Sequence, residues 1–218
     1  MPLRGLPPSR RVWIFDLDNT LHDARPGIFP AMHEQMNAYL RRRFGLDEVG
    51  ANAMRRDFWL RYGTTLKGLM RHYGEDPRVF LRETHDFPEL AGLVEHENAL
   101  RHAFSRLGGR RLLFSNAPRH YVHEVLRAIG VRRWFDAVYT IEDSRYVGKP
   151  SFRSFHVLLR RHDLDPHRCV MIDDILENLK AAKRLGMSTV WISPEARRVP
   201  YVDVRVASVI ELPRRILN

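Results

Sequence analysis

Asp16 and Asp18 stand two residues apart at the end of the run Val12-Trp13-Ile14-Phe15, and that spacing is the first chemical signal in the chain. Two carboxylates this close resist joint ionisation unless a cation or a shared proton relieves their repulsion, so the pair points to Mg²⁺. Further along, three more apolar runs or loops end in groups able to act on a substrate: Ser115 after Leu112-Leu113-Phe114, Lys149 within Gly148-Lys149-Pro150, and Asp173-Asp174 after Cys169-Val170-Met171-Ile172. Phosphoryl transfer calls for a nucleophile, a proton donor to the leaving oxygen, a metal, and fixed positive charge around the phosphoryl oxygens. Asp16 qualifies as nucleophile, Asp18 as the acid that later takes a proton from water, and Asp173 as partner to Asp16 in an oxygen-only Mg²⁺ site. Each residue taken singly also has a plainer job: Ser115 and Asp173-Asp174 as helix-entry caps, Lys149 as a solvated turn lysine.

The elements that would position these groups follow from periodicity. The short apolar runs at 12–15, 112–114, 137–139, 169–172 and 189–192 read as buried strands, with a short edge strand and a terminal helix added after Val202. Between most of them lie segments of helical period, for example Tyr121, Val122, Val125, Leu126 and Ile129, closed by Gly130. Alternating β and α elements imply a parallel sheet between helical layers, and the carboxyl ends of such strands form one ligand-binding edge. All the groups named above fall on that edge.

One stretch breaks the alternation. After the polar hinge at 22–26, Ile28, Phe29, Met32, Met36, Tyr39, Leu40 and Phe44 recur at three and four, with Gly45 as a stop, and four further helical segments run to Gly108-Gly109. No strand pattern interrupts these residues, so they read as an all-helical insertion over 22–107, leaving 11–21 and 108–218 as the core. Tyr62 and Phe29 read as interior residues of the insertion, and His72, His85, His96 and His102 as solvated ones.

Composition narrows the classes. At 218 residues, 44% hydrophobic and 28% charged, this is an ordinary globular chain. Residues 1–11 lack the apolar centre of a signal peptide, no run reaches membrane-spanning length, and Cys169 is the single cysteine, so a cytoplasmic protein without disulfides is expected. A net charge of +10, carried almost wholly by dispersed arginines, attracts anions. It comes without interleaved aromatic residues, so dedicated nucleic-acid binding is not expected.

The motifs carry a resemblance. Asp-Leu-Asp-Asn-Thr-Leu at 16–21, Phe-Ser-Asn at 114–116, Gly-Lys-Pro at 148–150 and Ile-Asp-Asp-x-x-x-Asn-Leu at 172–179 resemble the four motifs of the haloacid dehalogenase-like hydrolase superfamily. The resemblance implies an α/β fold with a three-layer Rossmann-like parallel sheet and an inserted helical cap. It implies Asp16 as nucleophile, Asp18 as acid/base and as carbonyl ligand to Mg²⁺, and Ser115 with Asn116 at the phosphate. Lys149 would be charge stabiliser and phosphate contact, Asp173 a metal ligand, and Asp174 and Asn178 supports of the metal. Within the insertion, residues 22–32, Tyr62-Gly63-Thr64-Thr65-Leu66 and His85-Asp86 are similar to pyrimidine 5′-nucleotidases, which would put Tyr62, Thr65 and His85 near the substrate; where those enzymes more often carry an aromatic residue, this chain has His22. The expected activity is hydrolysis of a small phosphorylated metabolite, first a pyrimidine nucleoside monophosphate, by a monomer or homodimer away from membranes. A sugar-phosphate phosphatase or a phosphomutase would use the same core. A 2-haloacid dehalogenase would need neither Asp18 nor Asp173, and an Arg-rich nucleic-acid-binding protein would have no use for the acidic site.

Overall fold

A computed structural model describes residue 7 and residues 10–217; most of the N-terminal segment read for a signal peptide therefore lies outside the described residues. The chain divides into two compact units, one formed by residues up to Asp23 and from Val94 onward, the other by Ala24–Leu93.

The first unit is built on a six-stranded sheet of order β3-β2-β1-β4-β5-β6, every neighbouring pair parallel. The strands are β1 (Val12–Phe15), β2 (Arg110–Phe114), β3 (Ala137–Tyr139), β4 (Cys169–Asp173), β5 (Ser188–Ile192) and β6 (Val204–Val206). β1 and β4 are buried along their whole length, which explains why they read as unbroken apolar runs rather than as alternation. Because β1 pairs with β2 on one side and β4 on the other, the strand order reverses at β1, and its carboxyl end is the switch point where open α/β sheets bind ligands. Register completes the alignment: Phe15 lies level with Leu113 and Ile172, and the Asp16 amide donates to the Ile172 carbonyl at 2.9 Å. The next residue on each strand is thus Asp16, Phe114 and Asp173.

Four helices of this unit follow strands: α7 (Arg119–Ala128), α8 (Phe152–Arg161), α9 (Leu176–Arg184) and the terminal α10 (Leu212–Leu217). Apolar side chains from Ile14, Leu112, Phe114, Tyr139, Phe155, Met171 and Leu179 make one core cluster. Phe15, Phe104 and Phe135 meet in another, with ring centroids 5.1 to 5.9 Å apart. That second cluster corrects the expected boundary of the insertion. Helix α6 (Leu100–Arg106) places Phe104, fully buried, against Phe15, and burying a ring of this size stabilises by about 1.5–3 kcal/mol, so the segment belongs with the sheet and not with the helices before it.

The second unit is all helical: α1 (Ile28–Phe44), α2 (Glu48–Tyr62), α3 (Thr65–Tyr73), α4 (Pro77–Thr84) and the one-turn α5 (Leu90–Leu93). Its punctuation is chemical. Asp47 accepts from the Gly50 amide, Thr64 from Lys67 and Asp76 from Arg78, each satisfying a free N–H at a helix start. α2 and α3 approach so closely that a Cβ on Gly68 would fall 2.3 Å from Cγ of buried Phe58. His85, expected in solvent, is buried beside Thr84, whose hydroxyl lies 2.9 Å from its Nδ1.

Candidate active site

Lys149 is the hub. Its ammonium lies 2.7 Å from Asp16 Oδ1 and 2.7 Å from Asp173 Oδ2, with 1% of the side chain exposed, so the solvated turn lysine of the plainer reading is overturned. The ammonium also sits over the Phe114 ring, 5.2 Å from the centroid. The backbone at Lys149 is clamped by Asn116, whose side-chain NH₂ donates to the Lys149 carbonyl at 3.0 Å and whose carbonyl accepts the Lys149 N–H at 2.7 Å. Through these two bonds the Asn116 side chain holds the lysine loop. Gly148 makes the clamp possible, since a Cβ there would lie 2.6 Å from Asn116 Oδ1.

Asp173 ends β4. Its Oδ1 accepts from the Ile175 amide at 2.8 Å and, with Oδ2, from the Asn178 side chain at 3.0 Å, so it caps the turn into α9 as well as facing Lys149. Ser115, one residue past β2, keeps both roles open in the same way. Its amide donates to Tyr139 and its buried hydroxyl accepts from the Ala117 amide at 3.0 Å, the local cap at the turn into α7.

Electrostatics single out this corner. Burial, reinforced by the charges of Asp173 and Asp174, pushes the Asp16 carboxyl well above its ordinary range despite the pull of Lys149. Burial and neighbouring Asp173 likewise raise Asp174 to about 7, against a hydrogen bond from Asn19. For Lys149, burial works against the charge, but Asp16 and Asp173 outweigh it and the ammonium is held above its ordinary value. One oxygen each from Asp16, Asp173 and Asp174 lie within 4.8 Å of one another, and Asp174 Oδ1 is buried without a partner among the described residues. An oxygen-only set with excess negative charge and an orphaned acceptor fits a hard divalent cation.

Asp18 has two side-chain partners of its own. Its Oδ1 accepts from Tyr121 Oη at 2.5 Å and lies 2.8 Å from His22 Nε2. In sequence Tyr121 is legible only as an apolar position of α7, and His22 as part of the hinge and as a departure from the aromatic residue of the similar nucleotidases; neither spacing marks a partner for Asp18, although His22 follows it by one helical-turn interval. Burial and then the nearby Asp18 charge hold the Tyr121 hydroxyl well above its ordinary value, so it stays a donor.

The three residues of the helical unit expected at the substrate each have local partners. The Tyr62 hydroxyl meets His72 Nε2 at 2.5 Å and its ring packs on Phe58; the Thr65 hydroxyl donates to the Arg55 carbonyl at 3.1 Å; His85 pairs with Thr84.

A parallel sheet with a lysine bridging carboxylates at its switch point defines a three-layer α/β protein with an acidic, lysine-centred site. The haloacid dehalogenase-like hydrolase profile matches residues 11–186, and the chain belongs to that family. It is 22% identical over 197 residues to phosphate metabolism protein 8 of Saccharomyces cerevisiae, a match covering 84% of this chain and 61% of that protein. It is also 24% identical over 189 residues to a phosphorylated carbohydrates phosphatase of Thermotoga maritima, covering 82% of each. Among solved structures, a HAD phosphatase from Thermococcus onnurineus shares the fold with a TM-score of 0.68 at 20% identity, covering 94% of this chain and 96% of that one.

Proposed function

We propose that this chain is a Mg²⁺-dependent phosphomonoesterase acting through an aspartyl-phosphate. The observation that carries the reading is the buried Lys149 ammonium held 2.7 Å from both Asp16 and Asp173 at the sheet's switch point. In the first step an Asp16 oxygen bonds to phosphorus as the bond to the ester oxygen breaks, and Asp18 delivers a proton to that leaving oxygen. In the second, Asp18 takes a proton from water, the water oxygen bonds to phosphorus, the bond to Asp16 breaks, and inorganic phosphate leaves. Lys149 balances charge on the transferring group, and Asn116 fixes the loop that presents it. Bound among Asp16, Asp173 and Asp174, with the Asp18 carbonyl by family resemblance, Mg²⁺ would offset the carboxylate repulsion and keep Asp16 ionised.

The substrate is a small phosphorylated metabolite, and a pyrimidine nucleoside monophosphate is the leading one on the strength of the residue pattern in the helical unit. The Thermotoga relative, named for phosphorylated carbohydrates, supports sugar phosphates as the second choice. One screen tests both: phosphate release from nucleoside monophosphates, sugar phosphates and p-nitrophenyl phosphate, with Mg²⁺ and with EDTA, for the parent and for Asp16→Asn. Release that depends on Mg²⁺ and on Asp16 is expected; full activity after chelation overturns the proposal. Among active substrates, a change of about tenfold or more in relative kcat/KM on altering Tyr62, Thr65 or His85 is the result expected if the helical unit selects the leaving group.

A further inference from the structure

Asp18 is held by two side chains that come from different parts of the core unit, Tyr121 on α7 and His22 four residues downstream in the chain. We infer that Tyr121 and His22 are positioning residues that fix which oxygen of Asp18 exchanges its proton with the leaving group. The inference rests on the phosphomonoesterase reading and goes beyond it to two residues outside the four motifs.

The argument is one of valence. Tyr121 donates its O–H to Oδ1 at 2.5 Å, and His22 Nε2 approaches the same oxygen at 2.8 Å. The His22 side chain is fully buried and its Nδ1 has no partner among the described residues. The tautomer with hydrogen on Nδ1 would bury an unbonded N–H and set a bare Nε2 against a carboxylate oxygen. The tautomer with hydrogen on Nε2 leaves only a lone pair unpaired and donates to Asp18. With two donors on Oδ1, the proton that the first step requires of Asp18 is carried on Oδ2. The carboxyl plane is fixed by the same two bonds, so Oδ2 has a set direction. When the ester bond breaks, the proton moves from Oδ2 to the leaving oxygen, and Oδ1 keeps both donors throughout.

A positioning role of this kind predicts a dependence on the leaving group that a merely structural role would not show. A 2,4-dinitrophenolate departs without a proton, whereas phenolate or an alkoxide needs one. The full-length protein with Mg²⁺ is assayed on 2,4-dinitrophenyl, p-nitrophenyl, phenyl and alkyl phosphates, comparing the parent with Tyr121→Phe, His22→Gln and the double variant. The parameter is kcat/KM, which reports transfer to Asp16 and not the later hydrolysis of the aspartyl-phosphate. Tyr121→Phe is expected to lower it by less than about twofold for the dinitrophenyl ester and by about tenfold or more for phenyl and alkyl esters. The double variant should approach the roughly 10²-fold or larger loss expected of Asp18→Asn on the same poor leaving groups. Two independent single variants keep the test intact if one folds poorly. A uniform loss across the series, or none, overturns the positioning role while leaving the phosphatase reading in place. A parent that releases phosphate from none of these esters removes both.

Discussion

Each unit of this chain buries a cluster of charged and hydroxyl side chains, and the two clusters differ in how their charges add up. In the helical unit, buried Glu75 accepts from Tyr39 at 2.5 Å and from Arg43 at 2.7 Å, one carboxylate against one guanidinium with a phenol to fill a remaining lone pair. In the core unit, Asp16, Asp173 and Asp174 face a single ammonium, Lys149. The first is balanced and explains itself as a tie between α1 and the turn before α4. The second is short of positive charge, and its carboxyl groups at Asp16 and Asp174 are displaced upward by burial and mutual repulsion. An unbalanced buried cluster costs stability, and it persists where another ligand completes it.

The largest expected effect tests that contrast directly. Asp16→Asn removes one of the three repelling charges and the proposed nucleophile together. Turnover should fall by about 10³-fold or more, while the urea midpoint holds or rises slightly. A marked drop in the midpoint would place the core cluster beside Glu75 as a structural tie. A second test supplies the missing charge. Saturating Mg²⁺, at about 100 times its dissociation constant, should raise the stability of the parent by about 2.7 kcal/mol. Asp174→Asn should reduce that gain, whereas Glu75→Gln should leave it unchanged. Equal loss of the gain in both variants would break the distinction between the units.

Two glycines sharpen it further. Gly68→Ala drives a methyl into the Phe58 ring between α2 and α3, and overpacking of this sort costs about 1–3 kcal/mol. Gly148→Ala meets the Asn116 amide, which must release the backbone of Lys149. The helical-unit variant should thus show its effect in the unfolding midpoint, and the core variant chiefly in kcat for every substrate alike. Measuring both quantities for both variants separates packing from positioning; a Gly148→Ala protein with parental kcat would mean that the clamp on Lys149 is dispensable.

The same contrast decides what was legible in the sequence. In the core, chemistry is tied to strand ends, and a fully buried parallel strand is a run of apolar residues that stops where the polar group begins, so Asp16, Ser115 and Asp173 were marked by position as well as type. Lys149 was visible through its Gly-Lys-Pro setting, but its burial was not, because nothing local shows that two distant carboxylates converge on it. The clamp of Asn116 on Lys149 is not legible locally, because a side-chain amide carries no mark of what it will bond. Tyr121 was hidden for the opposite reason: on an amphipathic helix a tyrosine counts as apolar, and its hydroxyl finds Asp18 only through tertiary packing. The boundary of the insertion slipped because helical period alone cannot say which unit a helix packs on; Phe104 decides it for α6.

The smallest expected effect concerns two aspartates that do similar local work in the two units. Asp143 closes the turn after β3, accepting from the Thr140 amide at 2.9 Å and hydroxyl at 3.0 Å, and it pairs with Arg119 at 2.9 Å and Arg161 at 2.6 Å. Burial alone would raise its carboxyl, but these hydrogen bonds outweigh it and hold the group below its ordinary value. Asp76 at the start of α4 is also held below its ordinary value, first by the Arg78 side chain and then by the Arg78 amide, but it is far more exposed than Asp143. A carboxyl lowered on folding stabilises fully above its unfolded value, about pH 4, and the contribution fades as pH falls through the folded value. Asp143 itself is buried, although both arginines are half exposed, so screening trims the effect and Asp143→Asn should cost about 1–2 kcal/mol at pH 7. That gap from the parent should narrow on acidification to pH 3 and persist in 0.5 M salt, since the Thr140 bonds are shielded. Asp76→Asn should give a smaller gap at pH 7 that salt largely removes. Urea midpoints of the three proteins at both pH values and both salt levels check this, and equal gaps that respond alike to salt would show that burial of the carboxylate, the feature separating the two units, has no part in its contribution.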